Sequence, residues 1–420
     1  MPGSGGGVRL GLRENAAQFS LLVAVNVFVG AMVGLERSTL PLVGRDDFGL
    51  SGSTAVLSFI AAFGAAKALT NLAAGGLAER AGRRRLLIAG WLVALPVPLL
   101  LATAPSWAWV GIANALLGVN QGLAWSMTVV MKIDLVGPRR RGLALGLNES
   151  AGYGGVAAAA LLSGWLASEY AARDVLVAGA SAIAAAGLIL SVLFVRDTGA
   201  HVEVEEGDDP QDPPPLADTF RRASVGDPAL RSCSQAGLVN NLNDGLAWGI
   251  VPLYLAAAGE SLAEIGAVAA VYPAVWGAGQ LLTGAWSDRV GRKPLIVAGM
   301  LVQAAALALL VASTGDFAAA FAAAAVLGVG TALVYPVLIA AISDAVAPRE
   351  RAPALGVYRF WRDAGYVAGA LLAGVLADAG GFETAIAAVA LLTAASGAWV
   401  ALDMPINAGA RTAPRHRAAS

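Results

Sequence analysis

The stretch Gly75-Gly76-Leu77-Ala78-Glu79-Arg80-Ala81-Gly82-Arg83-Arg84-Arg85 decides the fold, because a close copy of it returns 209 residues later. The copy reads Gly284-Ala285-Trp286-Ser287-Asp288-Arg289-Val290-Gly291-Arg292-Lys293. In both, an apolar segment runs into a glycine, an acidic residue followed by arginine, a second glycine and a basic cluster, and another apolar segment follows at once. This repetition indicates a duplicated membrane protein.

The composition supports the same class of protein. Of the 420 residues, 57% are hydrophobic and 14% are charged, and the mean hydropathy is +0.67, far above the range of a soluble globular domain. The net charge of -1 gives no indication of a nucleic-acid partner. Cys233 is the single cysteine, and His201 and His416 lie far apart in sequence, so we predict no disulfide, metal site or cofactor. We expect the first apolar run to stay in the mature protein, since it is too long for a signal peptide.

Apolar segments long enough to span a bilayer occur twelve times. A helix needs about 20 largely apolar residues to cross roughly 30 Å of hydrocarbon. The segments, numbered here as spans 1 to 12, are 17–41, 53–76, 86–104, 107–132, 142–168, 174–195, 233–257, 263–285, 294–313, 317–340, 353–377 and 382–402. We therefore predict an all-α polytopic membrane protein with twelve transmembrane helices in two six-helix pseudo-repeats.

The halves repeat beyond the opening stretch. Asp134, Pro138-Arg139-Arg140-Arg141 and Ala144-Leu145-Gly146 correspond to Asp344, Pro348-Arg349-Glu350-Arg351 and Ala354-Leu355-Gly356 at a constant offset of 210. Residues 196–231, between the halves, are acidic and contain Pro213-Pro214-Pro215, which predicts a mobile cytoplasmic tether, with a regulatory segment as the less favoured alternative. The predicted domains are an N-terminal half 1–195, this linker 196–231, a C-terminal half 232–402 and a tail 403–420.

Basic residues predict the orientation. With the N-terminus inside, the termini, the inner loops and the linker hold 21 of the 28 Lys and Arg residues, whereas the outer loops hold only Arg45 and Arg173. Because cytoplasmic loops of membrane proteins are enriched in Lys and Arg, both termini are predicted to be cytoplasmic. The expected location is the cytoplasmic (plasma) membrane, which in a bacterial cell is the inner membrane.

Polar residues within the spans predict an interior pathway. Spans 3, 6, 9 and 12 carry no charge beyond Asp174 and Glu383, which stand at the start of spans 6 and 12, and Gln303 is their one strongly polar amide. A Lys, Arg or Asp at the centre of a membrane helix costs roughly 2.5–3.5 kcal/mol, so such groups are expected to face protein or water. On span 11 the polar residues fall on one helix face at i, i+3, i+4 and i+7. The full set assigned to the substrate and proton pathway is Glu36, Arg37, Lys67, Asn71, Gln121, Trp125, Glu149, Tyr153, Asn241, Asp244, Trp276, Gln280, Arg359, Arg362, Asp363 and Tyr366.

Several of these residues have a structural alternative. Glu149 can serve as an interhelical ion-pair partner for Lys67 or Arg362. Arg359 can extend to the cytoplasmic interface, and the Glu36-Arg37 pair can snorkel outward from the end of span 1. The aromatic residues can simply pack or form an interfacial belt.

The paired loops resemble the signature of the major facilitator superfamily between its second and third helices and between its eighth and ninth. This resemblance covers nearly the whole chain. It implies a two-half fold with helices 3, 6, 9 and 12 at the periphery, and a cytoplasmic gate in which the loop acid latches the outward-open state against the start of helix 11. Glu79 and Asp288 are expected to pair with Arg80, Arg289 or basic residues after spans 4 and 10. The alternative is that these arginines only fix topology.

The expected gate comprises the glycines, acids and basic residues of both loops with their partners after spans 4 and 10. The glycines are expected to permit tight turns. The set is Gly76, Glu79, Arg80, Gly82, Arg83, Asp134, Arg141, Gly284, Asp288, Arg289, Gly291, Arg292, Asp344 and Arg351.

Many members of this superfamily with both loops export small molecules in exchange for protons, so the resemblance implies a proton-coupled efflux antiporter. A carboxylate among Glu149, Asp244 and Asp363 would then change its proton occupancy when its charged neighbours change. Proton-coupled import of an organic solute or anion is the alternative, because Gly118 stands where such exporters have an arginine before Gln121-Gly122, and Gly152-Tyr153-Gly154-Gly155 lacks their proline. A nitrate or nitrite porter is disfavoured, since Lys67 and Trp276 occupy the regions where paired arginines would be expected.

Other classes of function have less support. A non-transporting sensor or scaffold is a minor alternative, because the longest non-spanning stretch is the linker. The sequence contains neither a catalytic triad nor a P-loop, so nothing in it indicates an enzyme or transport driven directly by ATP. The predicted partners are a small-molecule substrate, protons and the lipid bilayer, and the chain is expected to act as a monomer.

Overall fold

The computed structural model describes residues 8–50, 53–207, 214–260, 262–313 and 315–406, which form helices and turns without a strand. The helices of the N-terminal half are α1 (Ala16–Asp46), α2 (Ser53–Ala81), α3 (Arg83–Ala94), α4 (Pro96–Ala102), α5 (Trp107–Val136), α6 (Arg141–Glu169) and α7 (Ala172–Leu193). The linker contains α8 (Gly199–Glu206) and α9 (Leu216–Arg221). The C-terminal half contains α10 (Pro228–Gly249), α11 (Val251–Ala257), α12 (Leu262–Val290), α13 (Arg292–Ala312), α14 (Phe317–Ala345) and α15 (Arg351–Asp403).

The predicted class is confirmed: the chain is an all-α polytopic membrane protein with two six-helix halves. Spans 3 and 7 are each divided in two, at Pro96 and near Pro252, because proline removes a backbone donor from the helical ladder. Spans 11 and 12 are the two arms of α15, which join at Gly381 with φ +83°. By length and apolar composition alone, seven stretches of the described residues qualify to cross a membrane, and one of these is Pro348–Asp403, which holds both arms.

Spans 3, 6, 9 and 12 carry large apolar side chains on the outside of the bundle. Leu99 on span 3, Leu193 on span 6, Leu309 on span 9 and Leu391 on span 12 are all exposed. In a membrane protein such side chains face the acyl chains, as the predicted periphery requires. Helices α2, α6, α12 and α15 also expose leucines, but they in addition make the contacts between the halves.

The two halves meet along two helix pairs, α2 with α15 and α6 with α12. Glycines allow the closest approach. A Cβ at Gly284 would lie 2.3 Å from the carbonyl oxygen of Gly142, and one at Gly75 would lie 2.5 Å from the carbonyl oxygen of Ala352. Both contacts lie at the end of the bundle that carries the basic loops, which we call the basic end. The halves are therefore packed against each other there.

The linker differs from the mobile tether that its composition predicts. Its described parts form α8 and α9, followed by a short π-helical turn at Arg222–Gly226. Leu216 of α9 packs against the backbone at Gly76, where a Cβ would lie 2.9 Å from its Cδ2 atom. The run Pro213-Pro214-Pro215 begins outside the described residues. The linker segments next to the halves thus form part of the basic end.

Candidate functional site

The second basic loop joins the two halves directly. Asp288, in the last turn of α12, accepts hydrogen bonds from the backbone N–H groups of Gly142 at 2.9 Å and Leu143 at 3.0 Å. These N–H groups open α6, where backbone donors lack partners within the helix and the helix dipole attracts negative charge. A carboxylate of the C-terminal half therefore caps a helix of the N-terminal half. Gly291, with φ +94°, makes the turn that follows.

The first basic loop is built differently. Glu79 pairs with Arg83, whose Nε lies 3.1 Å from Asp134 Oδ2. No hydrogen bond or ion pair joins Glu79 to the described residues at the start of α15, so the latch implied there by the family resemblance is not formed. Position 353, which corresponds to Leu143, is a proline and has no N–H to donate.

The predicted partners of the loop acids therefore need correction. Glu79 pairs with Arg83 and Asp288 with Arg292, each one helical turn further along the chain, instead of Arg80 and Arg289. Arg80 and Arg289 are exposed, which fits a role in topology. Gly82 has φ +84°, so the predicted turn at this glycine is present in both loops.

One ionic network contains five predicted gate residues: Arg141, Asp288, Arg292, Asp344 and Arg351. Arg141, at the start of α6, donates to Asp344 Oδ1 at 2.8 Å and to the carbonyl oxygen of Ser343 at 3.1 Å. Arg292 Nε donates to the other oxygen of Asp344 at 2.9 Å. This network crosses between the halves, because Arg141 belongs to the first half and Asp344 to the second.

Glu205 of the linker helix α8 completes the network. It is not among the gate residues predicted from the sequence. Its carboxylate pairs with Arg141 of the first half and accepts from Arg351 Nη1 of the second half at 2.7 Å. Burial alone would raise the pKa of Glu205, but the hydrogen bonds and charges of Arg351 and Arg141 outweigh it and hold the pKa below its ordinary value of 4.5. The excess of arginines at this end, opposite an acidic run in the linker, was the signal available in the sequence.

We expect Glu205→Gln to weaken the packing of the halves at the basic end by about 3 kcal/mol, the scale for breaking a buried ion pair. Because the folded pKa lies below the ordinary value, this contribution is fully present above pH 4.5 and is lost as the pH falls through the lowered pKa. Spin labels at Arg85 and Val290, with Cys233 replaced by serine, would report the distance between the halves. A distance unchanged by the substitution would contradict this role, and Glu203→Gln, an exposed acid on the same helix, is the control.

Asp363 connects the halves in the interior. Its Oδ2 accepts from Asn71 Nδ2 of α2 at 2.7 Å, and its Oδ1 accepts from Arg362 Nη1 at 3.1 Å. Asn71 in turn accepts from Ser126 of α5 at 2.7 Å. The carboxylate on α15 is therefore held partly by the opposite half.

Glu149 makes the second interior connection. Its Oε1 accepts from Asn148 Nδ2 at 2.7 Å and Trp125 Nε1 at 3.3 Å, and lies 3.8 Å from Arg359 Nη2 of the other half. The prediction of Lys67 or Arg362 as its ion-pair partner is thus wrong, because the relative rotation of α6 and α15 brings Arg359 to it. Arg359 is only 3% exposed, so the alternative that it extends to the interface is also wrong.

Asp244 belongs to a network within the C-terminal half. It accepts a hydrogen bond from Tyr272, whose hydroxyl also lies 3.2 Å from Thr331 Oγ1. Tyr272 was not assigned to the pathway from the sequence. Asn241 is one of the predicted pathway residues. It donates to the backbone carbonyl of Arg362 at 2.8 Å and so connects α10 to α15.

An aromatic layer closes the middle of the bundle. Tyr153 lies 5.5 Å from Trp125, 4.2 Å from Trp276 and 6.4 Å from Tyr335, measured between ring centroids. Arg362 stacks 4.2 Å from the Tyr335 ring centroid. Because these rings come from both halves and pack on each other, the alternative of an interfacial belt is wrong for them.

Lys67 and Arg37 share a different aromatic environment. Lys67 Nζ lies 5.7 Å from the Phe63 ring centroid and 5.6 Å from that of Trp125, while the Arg37 guanidinium lies 5.6 Å from Phe63. Arg37 also interacts with the hydroxyl of Tyr366. Glu36 is only 3% exposed, so the alternative that Glu36 snorkels outward is wrong.

The two predicted glutamines have different surroundings. Gln121 is buried and donates to the backbone carbonyl of Val29 at 2.9 Å, which ties α5 to α1. Gln280 is fully buried, yet neither atom of its amide has a hydrogen-bond partner among the described residues. The indole nitrogen of Trp276 and Glu149 Oε2 are unpaired in the same way. The interface between the halves therefore offers unsatisfied polar groups beside the aromatic layer.

Two six-helix halves around a polar interior are the architecture of many secondary transporters. The family model of the Major Facilitator Superfamily matches residues 17–232 and again 233–419, so the chain belongs to this family. Its fold resembles that of the transporter FucP in the outward conformation, with a TM-score of 0.74, 14% identity and coverage of 93% of this chain and 99% of FucP.

Two further solved structures share the fold. The proton:xylose symporter XylE, bound to 6-bromo-6-deoxy-D-glucose, matches with a TM-score of 0.75 and 13% identity over 93% of this chain and 97% of its own. The human organic anion transporter TETRAN matches with a TM-score of 0.70 and 16% identity over 91% of this chain and 99% of its own.

Proposed function

We propose that this multi-pass transporter couples the movement of a small organic solute to protons by alternating access. The observation that carries the proposal is that Glu149 and Asp363 each contact the opposite half, through Arg359 and Asn71. A rocking motion that separates the halves at the basic end would remove these neighbours. Because nearby charges and hydrogen bonds determine the proton affinity of a carboxylate, the motion would change proton occupancy.

The proposed gate is the set of contacts at the basic end. Asp288 on the start of α6, the Arg141–Asp344 pair and the Glu205 bridge hold the halves together there. The distribution of basic residues supports a cytoplasmic location for this end, so the proposed state is closed toward the cytoplasm. We propose a division into the halves 1–195 and 232–402, the linker 196–231 and the tail 403–420, and the boundary between the two family matches, at 232/233, supports the start of the second half.

The paired loops support export in exchange for protons as the leading direction. Import by proton symport is the second candidate, and it is supported by the structural similarity to XylE, a proton:xylose symporter. In either case the chain carries a solute without chemical conversion, and we propose that it acts as a monomer in the cytoplasmic membrane. Uptake by proteoliposomes of one protein orientation, under an imposed pH gradient of either sign, separates the two directions.

Acid-to-amide substitutions test the coupling. We expect Glu149→Gln and Asp363→Asn to lower proton-driven accumulation of substrate by about tenfold, because an amide cannot exchange a proton, while exchange without a gradient continues. Asp244→Asn tests the third interior acid. Asp218→Asn, an exposed acid of the linker, is the control. Unchanged proton coupling in all three interior variants would overturn the proposal.

A further inference from the structure

We propose that the substrate is an organic anion whose acidic group binds between Lys67 and Arg37. This inference rests on the proposed transport function and specifies the chemistry of its binding site. The interior cations differ in their partners. Arg359 forms an ion pair with Glu149, and Arg362 forms one with Asp363. Lys67 and Arg37 form no ion pair with a carboxylate of the described residues.

Neither Lys132, the remaining interior lysine, nor the acids near Lys67 and Arg37 change this contrast between paired and unpaired cations. Lys132 is fully buried and donates to the amide oxygen of Asn148. Asp363 is already held by Asn71 and Arg362. Glu36, beside Arg37 in sequence, is buried and makes no ion pair with it. Among the described residues, neither Lys67 nor Arg37 thus has a carboxylate within ion-pair distance.

These two cations lie beside the same aromatic ring. Both lie less than 6 Å from the centroid of the same Phe63 ring. Both are half-buried, whereas Arg359 and Arg362 are 3% and 6% exposed. Lys67 and Arg37 are therefore less enclosed by their neighbours than Arg359 and Arg362 are.

The position of Lys67 on α2 places it between the halves. Asn71, one turn toward the basic end, contacts Asp363 of α15. Gly64, almost one turn in the other direction, faces Val367 of α15, and a Cβ added at Gly64 would lie 3.9 Å from Val367 Cγ2. Lys67 therefore lies on the face of α2 that meets the opposite half, on the far side of Asn71 from the closed basic end. A solute bound there would contact both halves.

The surroundings also indicate the rest of the substrate. The rings of Phe59, Phe63 and Trp125 line the two cations, and cation–π contacts stabilise positive charge only in part. An unpaired cation in a membrane interior is unfavourable, and a carboxylate, sulfonate or phosphate group of the substrate would supply the opposite charge. Aromatic walls beside a cationic pair suit a molecule with an acidic group on an apolar body.

Matched ligands on the purified full chain test this inference. A panel of aromatic and aliphatic monocarboxylates is compared with the primary amide and the amine of each, using the thermal shift that a ligand of the folded state produces. We expect at least one acid to raise the melting temperature while its amide and amine do not. Stabilisation by amides or amines equal to that by the acids, or no stabilisation by any acid, would overturn the inference.

Substitutions then locate the site. Lys67→Met is expected to weaken binding of the stabilising acid by about tenfold, the scale for one charge-assisted hydrogen bond, and Lys67→Arg to retain it. Arg85→Met, an exposed cation of the basic end, is the control. Wild-type affinity in Lys67→Met would contradict the assignment. Proton-driven transport of an uncharged solute would overturn the anion inference alone, whereas acid binding without proton-linked flux would overturn the proposed coupling alone.

Discussion

Gly284→Ala is expected to prevent closure of the basic end and so to reduce transport severely. The added Cβ would lie 2.3 Å from the carbonyl oxygen of Gly142 and 3.1 Å from the Cα of Gly146. Both are backbone atoms, so α6 and α12 must move apart. Overpacking of this kind costs about 1–3 kcal/mol. A change of that size shifts the equilibrium between two states about 5- to 150-fold, here away from the closed basic end.

Spin labels at Arg85 and Val290 should report a longer distance in Gly284→Ala, alongside reduced substrate flux. Gly277→Ala is the matched control, because it is the same substitution on the same helix and a Cβ there meets nothing within 4 Å. If both variants transport equally well, the close contact at Gly284 does not limit the motion. Comparing the two variants separates the effect of the contact from the loss of a helix glycine.

Asp288→Asn is expected to impair transport about five- to tenfold while substrate affinity stays within about twofold. The carboxylate caps α6 of the other half through the N–H groups of Gly142 and Leu143, and it pairs with Arg292 at 2.8 Å. An amide keeps one acceptor oxygen and loses the charge, and a cap of this kind is worth about 1 kcal/mol. Since the cap lies at the basic end and not between Lys67 and Arg37, binding should be preserved.

Asp316→Asn is the matched control for this prediction. Asp316 also caps a helix, because its side chain accepts from the backbone N–H of Ala319 at 3.2 Å, but the helix is α14 of its own half. Initial rates and equilibrium binding in the same reconstituted samples separate the two effects. An Asp288→Asn protein that inserts normally but loses binding as severely as transport would show that Asp288 shapes the binding site.

Much of the fold was predictable because it depends on local patterns. The length of the apolar runs predicts the spans, and the absence of charge from the interior of spans 3, 6, 9 and 12 predicts the periphery. The repeated loops identify the halves. The sequence does not distinguish the two roles that glycine has in these loops. Gly82 and Gly291 adopt positive φ in turns, whereas Gly75 and Gly284 allow two helices to come into contact.

The partners of the charged residues were harder to predict. The stripe Arg362-Asp363 follows from helical spacing, but the pairing of Glu149 with Arg359 depends on how α6 and α15 are rotated against each other. Glu205 lies in a segment whose acidic composition resembles a tether, and nothing periodic in it marks the carboxylate that bridges Arg141 and Arg351. Tyr272 carries no charge to distinguish it from the other aromatic residues, although it holds Asp244.

The two loops share a sequence pattern but differ in what they contact. Asp288 reaches the opposite half, while Glu79 is bound by Arg83 within its own half. Proline at position 353 removes one of the donors that a symmetric cap would require. The linker supplies Glu205 at the start of α15, where it binds Arg351. Closure of the basic end thus combines the loop acid Asp288 with Asp344 and the linker acid Glu205.

The most direct test of proton-linked alternating access is to record proton movement while substrate moves. Wild-type protein is reconstituted in proteoliposomes without an imposed gradient, a substrate gradient is applied, and the internal pH is followed with a trapped dye. Proton-linked transport predicts a pH change that depends on substrate and is greatly reduced in Glu149→Gln and Asp363→Asn. Substrate flux of normal size with no accompanying pH change in the wild type would contradict it.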